Sequence, residues 1–272
     1  NRDKSLKTLI YQYPTGVHGE LVSLHAVVFP LETILTTLLR QAGPKWSEEQ
    51  ELTEALRILN RIGLTEMGFP YYGWLIGIHT AVIRVALSYN IPLIFYSEDG
   101  EVEYGGDSKL KYNGIYNIDY QISNYLESGY DKVLSKAKKL GLKESQLYWF
   151  KFPSKKEYEK SNITITHYSF YENWDPYRNY MIAKEHCGLK EKESLNKGTY
   201  TNFAQNDSDL FPLHMYFMYL KFGFGRTTSD SAIDVRRGAM SRNQALELIK
   251  LYDNYCPKDL FDNYCDYYKM KK

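Results

Sequence analysis

The 272-residue sequence has few cysteines, almost no net charge and no long uninterrupted apolar run. Its three cysteines, Cys187, Cys256 and Cys265, have neither the spacing of a zinc site nor that of a Cys-x-x-Cys pair. So few thiols fit a reducing cytosol. Lysine and arginine number 34 against 33 acidic residues, and the net charge of +1 gives no reason to expect a nucleic-acid partner. Composition therefore favours a cytoplasmic protein that binds no nucleic acid.

The most apolar stretch, residues 21–39, is too interrupted to predict a membrane span. His25, Pro30 and Glu32 break it, whereas a transmembrane helix needs about 20 predominantly apolar residues. The stretch also lacks the basic leader and the small-residue cleavage site of a signal peptide. We therefore expect a buried or amphipathic helix here, and no membrane association.

What is present is enough apolar sequence for a core, in a pattern of alternating strands and helices. Apolar residues make up 43% of the chain, and its length allows one large domain or two small ones. Strand-like runs at residues 90–95 and 161–167 are separated by helical stretches at 48–60, 76–89, 118–140, 176–186 and 211–221. Strands that alternate with helices favour a parallel sheet with crossovers.

The most distinctive stretch, Lys221 to Asp253, begins with a glycine-punctuated aromatic turn, FGFG. Arg226, a run of hydroxyl residues, Asp230 and Arg236 follow it, and a helix whose predicted N-cap is Ser241 comes next. Guanidinium groups are suited to bidentate binding of phosphate or carboxylate. Two interpretations stay open: these three side chains bind substrate, or a salt-bridged loop fastens a helix to the core.

A second polar segment follows the strand predicted at residues 90–95. It contains Glu98, Asp99, Glu103 and Tyr104, next to a Gly-Gly turn. In open α/β sheets, ligands bind beyond the carboxyl ends of the strands. We expect catalytic roles for Glu98 and Asp99 and substrate contacts for Glu103 and Tyr104. An ordinary acidic loop is the alternative.

Four further side chains are candidates for a site. His167 ends the second predicted strand, and its ordinary pKa near neutrality suits proton transfer, so it is a catalytic candidate. Tyr72 and Trp74 are predicted to stack on a ligand ring. Asn202 lies in a polar turn, GTYTNFAQND, whose amides and hydroxyls suit sugar hydroxyls, although such turns also form for local reasons. His79, on an apolar helix, is interpreted as a core histidine.

Five segments, in this order, resemble one protein family. They are PYYGW, SEDGEVEYGG, ENWDPYRNYMIAKEHCG, GTYTNFAQND and KFGFGRTTSDSAIDVRRG. They resemble the N-acetyl sugar amidotransferases of bacterial surface-glycan biosynthesis, which serve lipopolysaccharide and the pseudaminic- or legionaminic-type sugars of flagellin. The resemblance runs from about Leu56 to the C-terminus. It implies the fold of the ATP pyrophosphatases, a Rossmann-like parallel sheet flanked by helices of the adenine nucleotide alpha-hydrolase type.

The resemblance also implies a reaction. ATP would adenylate the acetamido oxygen of a nucleotide-linked N-acetyl sugar, and ammonia would displace AMP to leave an acetamidino group. ATP and Mg²⁺ are the implied cofactors, a glutaminase is the implied partner that supplies ammonia, and a homodimer is left open. No metal site with protein ligands alone is assigned.

The sequence departs from the family at the phosphate loop. The family carries Ser-Gly-Gly-x-Asp-Ser after its first strand, where backbone N–H groups cradle pyrophosphate. The nearest string here, GGDS at residues 105–108, lacks the spacer, and residues 1–50 do not resemble the family. We expect an N-terminal helical segment at 1–50, an α/β amidotransferase-like domain at 51–234 that is incomplete at its N-terminus, and a helical tail at 235–272. The alternative function is a non-catalytic or truncated relative that binds nucleotide sugar or a partner without ATP chemistry.

Overall fold

The computed structural model describes residues 8–9, 46–96, 113–126, 129–204 and 208–271. The chain divides into two units, Asn1–Leu59 with Gly73–Trp174, and Asn60–Tyr72 with Asp175–Lys272. The domain boundaries predicted at residues 50 and 234 stay predictions, and residue 234 lies within the helix Arg226–Arg236. The helix predicted at residues 21–39 lies outside the described residues, as does most of the segment predicted at 1–50.

Within the described residues, unit 1 contains a short parallel sheet of three strands in the order β1-β2-β3. The strands are β1 (Thr8–Leu9), β2 (Leu93–Tyr96) and β3 (Thr164–His167). Leu93 pairs with Thr164 and Tyr96 with His167. The parallel pairing of the two predicted strands confirms the α/β class, and it brings the carboxyl ends of β2 and β3 to the same edge. The Rossmann-like class stays a prediction.

Helices supply most of unit 1. They are the unit's part of α1 (Trp46–Met67) and of α2 (Tyr72–Ser88), followed by α3 (Ile118–Tyr125), α4 (Tyr130–Lys139) and α5 (Lys155–Tyr158). The core contains Leu56, Ile76, Ile83, Ile94 and Ile165. The prediction of one helix over residues 118–140 is wrong. Gly129 stands at the N-cap of α4, and glycine weakens a helix interior because it loses the most backbone freedom on folding.

Unit 2 is helical where the structure describes it. Besides the rest of α1, it contains α6 (Pro176–Cys187), α7 (Leu210–Phe222), α8 (Arg226–Arg236), α9 (Arg242–Tyr252) and α10 (Phe261–Tyr268). The capping signals act as predicted: proline stands at the first turn of α6, and the Ser241 side chain accepts a bond from the backbone N–H of Gln244. The helical C-terminus is confirmed. The stretch interpreted as an arginine-bearing turn is instead the helix α8.

Tyrosines of the C-terminal helices help to form the core of unit 2. Tyr264 and Tyr268 are buried with Leu213 of α7. The Tyr268 hydroxyl donates to the Pro70 carbonyl at 2.5 Å, which satisfies its polar tip. Only part of α7 lies in the core, because Phe222 at its end is 66% exposed. Among the described helices, none combines the length and apolar character needed to cross a bilayer.

Candidate functional site

The N-terminus of α8 in unit 2 binds a carboxylate from the chain itself. The backbone N–H groups of Gly225 and Thr228 donate to Asp253 at 2.7 and 2.9 Å, and the Thr228 hydroxyl donates to it at 2.7 Å. The first turn of a helix favours an anion because its N–H groups lack partners within the helix. Gly225 is required here, because a Cβ atom would come within 2.5 Å of the Asp253 carbonyl oxygen. Asp253 therefore occupies these donors of the first turn, whereas ligand binding by the predicted side chains of this segment stays a prediction.

Arg226 is buried, with 3% of its surface exposed. Its guanidinium donates to the Ala204 carbonyl at 2.6 Å, approaches Asp230 at 3.6 Å and lies 4.8 Å from the centre of the Phe211 ring. Residues of unit 2 therefore occupy the planar guanidinium group of Arg226. These contacts correspond to the interpretation in which a salt-bridged segment fastens a helix, and a substrate contact by Arg226 stays a prediction.

The two arginines at the end of α8 differ from Arg226 and from each other. Arg236 is exposed, and within the part of the chain that the structure describes it forms no ion pair. Arg237, which the sequence did not single out, pairs with Asp234 at 2.8 Å and with Asp175 at 3.3 Å. Arg236 is thus the arginine of the predicted set whose guanidinium remains available to a ligand.

The polar turn GTYTNFAQND contacts α8 directly. The Thr227 hydroxyl donates to the Gly198 carbonyl at 2.8 Å, and the Thr199 hydroxyl donates to Asp230 at 2.5 Å. The structure therefore brings together two of the segments that the sequence singled out, over the residues it describes (197–204 and 208–271). Asn202 takes part in the turn itself, since its side-chain amide donates to the Lys192 carbonyl at 3.0 Å.

A cluster of neutral polar groups lies in unit 1 at the carboxyl ends of β2 and β3. The Tyr96 ring stacks on His167, with centroids 5.4 Å apart, and the Tyr116 ring meets His167 edge-on. The Gln121 side-chain amide donates to Nδ1 of His79 and, at 3.2 Å, to the Tyr96 hydroxyl. With the amide in this orientation, the proton of neutral His79 sits on Nε2. His79 is buried and hydrogen-bonded, as the sequence predicted. The ring contacts of His167 with Tyr96 and Tyr116 were not predicted.

Burial makes both histidines of this cluster neutral at pH 7. It lowers the pKa of His167 from 6.5 to about 4. It also lowers the pKa of His79 to about 3, with a smaller contribution from the nearby His167. General bases work best when their pKa lies near the working pH. In this arrangement His167 is a neutral ring packed against two tyrosines rather than a strong base, and its catalytic role stays a prediction.

Two further predicted side chains, Tyr72 and Trp74, are at least partly buried. Tyr72 is 1% exposed, and its ring meets the edge of Phe69 at 5.4 Å. Gly63 makes this burial possible, because a Cβ atom there would lie 2.5 Å from Cβ of Tyr72. Trp74 is half-buried.

The predicted acidic site lies outside the described residues, and so do its four members, Glu98, Asp99, Glu103 and Tyr104. Among the residues that the structure does describe, no group of three or more histidine, cysteine, aspartate or glutamate side chains is placed to hold a metal ion.

Comparison with known proteins gives a likeness within unit 2. Residues 197–272 match the family model described as the C-terminal domain of a WbpG-like lipopolysaccharide biosynthesis protein. No curated protein matches the chain. The matched segment contains the polar turn, α7 to α10, and therefore the contacts between α8 and both Asp253 and Ala204. The C-terminal part of the chain is thus similar to a domain of lipopolysaccharide biosynthesis.

Proposed function

We propose that the chain is an ATP-dependent amidotransferase of bacterial surface-glycan biosynthesis that converts an N-acetyl group of a nucleotide-linked sugar to an acetamidino group. An amide is a poor electrophile, so its oxygen is first joined to the AMP moiety of ATP, and pyrophosphate leaves. Ammonia then attacks the amide carbon, and AMP departs with the original oxygen. We propose a glutaminase as the ammonia source, a cytoplasmic location and the Rossmann-like fold of the ATP pyrophosphatases.

One observation carries the proposal. Two segments that resemble the amidotransferases, GTYTNFAQND and KFGFGRTTSDSAIDVRRG, lie inside the region similar to a lipopolysaccharide-biosynthesis domain. Side chains of α8 hold these segments together, through Thr227 to Gly198 and Arg226 to Ala204. Segments that pack into one surface are consistent with a shared function, and exposed Arg236 is our candidate for a contact with the anionic part of the nucleotide sugar.

The described residues do not themselves form a cradle for the phosphates of ATP. The helix N-terminus at Gly225 already binds the Asp253 carboxylate. We propose that Glu98, Asp99 and Glu103, which lie outside the described residues, contact Mg²⁺ or substrate, because oxygen ligands suit this ion. No step of the proposed reaction is assigned to the first turn of α8.

The test supplies the purified chain with Mg-ATP, a nucleotide-linked N-acetyl sugar, and ammonium chloride in place of a glutaminase. We expect AMP to form only when the sugar is present. When the acetamido oxygen carries a heavy isotope, we expect the label in AMP, because that oxygen leaves with the AMP moiety. Glu98→Gln should abolish AMP formation, whereas the control Glu247→Gln, at an exposed position on α9, should not. AMP that forms without sugar, or without the label, would contradict the proposal.

A second function, binding of a nucleotide sugar without ATP chemistry, is favoured by the occupied N-terminus of α8. The backbone donors that could hold a phosphate there are used by Asp253, and the 272 residues contain no Ser-Gly-Gly-x-Asp-Ser loop. Under this alternative, calorimetry would detect the nucleotide sugar but not Mg-ATP, and no AMP would form.

A further inference from the structure

Helix α6 in unit 2 buries an amide in place of an apolar side chain. Asn179 is the one buried residue of α6, with 6% of its surface exposed. Both its side-chain nitrogen and its side-chain oxygen are buried, and neither has a hydrogen-bond partner among the described residues. Buried polar atoms are nearly always hydrogen-bonded, so an amide with both ends unpartnered needs a physical explanation.

The loop that α6 contacts has two further polar atoms of the same kind. The Asn196 side-chain oxygen and the Thr201 hydroxyl are buried without a hydrogen-bond partner within the part of the chain that the structure describes. These residues are neighbours, because the Asn196 N–H donates to the Thr201 carbonyl at 2.7 Å. Tyr180, the residue after Asn179, stacks on Phe203 of this loop with centroids 4.4 Å apart. The unpartnered atoms therefore belong to two elements that touch.

The chemistry of these atoms indicates what kind of ligand they suit. Asn179 offers one donor group and one acceptor, Asn196 offers an acceptor because its amide nitrogen already donates to Ala204, and Thr201 offers a hydroxyl that can do both. A phosphate or carboxylate presents acceptors only and would meet two amide oxygens. A neutral group with both donors and acceptors, such as a sugar hydroxyl or an acetamido group, matches all three side chains.

Aromatic rings next to these atoms suit the same ligand. The Tyr177 ring lies 6.2 Å from the Phe203 ring and is 49% exposed. Tyrosine combines an apolar face with a polar tip, which suits the mixed surface of a pyranose ring. Polar groups placed among aromatic rings are typical of small-molecule sites.

We propose that Asn179, Asn196 and Thr201 form a binding site for the neutral glycosyl part of a substrate, a hydroxyl- and acetamido-bearing sugar. The proposal rests on the proposed function, since it assigns the sugar end of that substrate. These residues are distinct from the predicted sugar contact Asn202, whose amide already bonds to Lys192. A bound sugar would supply the hydrogen bonds that these atoms lack among the described residues.

The proposed site predicts that replacing Asn179 does not lower the melting temperature. If Asn179 serves only a ligand, then Asn179→Leu removes a polar group without a partner among the described residues and keeps the branching of the side chain. The melting temperature should stay the same or rise, while sugar binding is lost. Asn60 is the matched control, because it is also buried, at 1% exposure, but its amide donates to the Tyr267 hydroxyl at 2.9 Å. Asn60→Leu should lower the melting temperature and leave sugar binding unchanged.

The experiment measures binding by calorimetry of UDP-N-acetylglucosamine, UDP-N-acetylgalactosamine, free N-acetylglucosamine and UDP. We expect at least one N-acetyl sugar nucleotide to bind the wild-type chain at least about tenfold more tightly than UDP, and Asn179→Leu and Thr201→Val to remove that difference. Binding of free N-acetylglucosamine that Asn179→Leu weakens equally would show that the site recognises the sugar without the nucleotide. No gain from any sugar, or an Asn179→Leu variant that melts earlier and binds as before, would overturn the site.

The outcomes separate this site from the proposed reaction. Sugar binding that depends on Asn179 without any AMP formation would support the site and contradict the amidotransferase. Sugar-dependent AMP formation whose KM for the sugar is unchanged in Asn179→Leu would support the amidotransferase and contradict the site.

Discussion

The first turn of α8 and the histidine cluster at the sheet edge both carry polar side chains that the sequence singled out, but they use them differently. Around α8 the charged groups are paired with each other: Arg226 contacts Asp230, and Asp253 binds the helix N-terminus. At the sheet edge the groups are neutral, and the Gln121 side-chain oxygen is buried without a partner among the described residues.

The difference follows from the cost of burial. A buried charge is expensive unless it is paired, whereas a neutral amide costs less when a bond is left unmade. A conspicuous run of charges therefore indicates a fastened segment more readily than an open site. The predictions below test whether that contrast holds.

The largest effect is expected from the loss of Arg226. Arg226→Ala should lower the free energy of unfolding by about 3 kcal/mol, because Ala204 and Asp230 lose their charged partner. Arg226→Lys, which keeps the charge but not the fork, should cost less. Urea denaturation measures both, with Arg242→Ala at an exposed position as the control. A variant that folds as stably as the wild type but no longer binds nucleotide sugar would restore the ligand interpretation of this residue.

Asp253 is expected to contribute somewhat less. Asp253→Asn keeps the size of the side chain but removes its charge from the N-terminus of α8, which should cost about 2 kcal/mol. The exposed Asp266 provides the control variant Asp266→Asn, which should be nearly silent. If Asp253→Asn also leaves the free energy of unfolding nearly unchanged, the helix does not require this carboxylate, and an external phosphate could bind at the turn.

We expect His167, in the histidine cluster, to make the free energy of unfolding depend on pH. The folded-state pKa of His167, about 4, lies below its ordinary value of 6.5. As pH falls through 6.5 the unfolded chain takes up a proton that the folded chain does not. Stability is then lost between pH 6.5 and about 4, at up to about 1.4 kcal/mol per pH unit for this residue. Urea denaturation at several pH values should show a correspondingly smaller slope for His167→Gln. An unchanged slope would mean that the imidazole is accessible to protons in the folded state.

The smallest effect on stability is expected at Arg236. Arg236→Gln should change the free energy of unfolding by no more than about 0.5 kcal/mol, as is usual for an exposed position that forms no ion pair with the described residues. Its effect should appear instead in weaker binding of UDP-N-acetylglucosamine, measured by calorimetry beside Arg242→Gln. Equal binding by both variants would mean that Arg236 does not contact the nucleotide sugar.

Local signals in the sequence predicted most element positions but fewer of their boundaries. Pro176 at a helix start and Ser241 with Gln244 act within one turn, so the sequence reveals them directly. The runs that became β2 and β3 were found from their apolar, branched residues. The stretch that became α8 was interpreted as part of a turn. The side chain that caps this helix is Asp253, 25 residues beyond Thr228, and a local sequence pattern cannot reveal a partner so far along the chain.

The site was harder to predict than the fold. The sequence indicated Arg226 and Asp230 as ligand contacts, yet their availability depends on Ala204 and Thr199, which belong to a distant turn. Asn179 was part of a quoted motif but received no role, because nothing local distinguishes a paired asparagine from an unpartnered one. Burial and the presence or absence of a partner are properties of the packed chain.

The sequence by itself determined the α/β class, the helical C-terminus and the likeness of residues 197–272 to a lipopolysaccharide-biosynthesis domain, because periodicity, capping and residue order are all written along the chain. Only the tertiary structure decided which polar groups are paired with other groups of the chain. It joined Gln121 to His79 across 42 positions and Gly225 to Asp253 across 28. It also buried the Asn179 side chain, whose amide has no hydrogen-bond partner within the part of the chain that the structure describes. Hydrogen bonds act over a few ångströms, so they depend on where the folded chain brings distant residues together rather than on what stands beside them in the sequence.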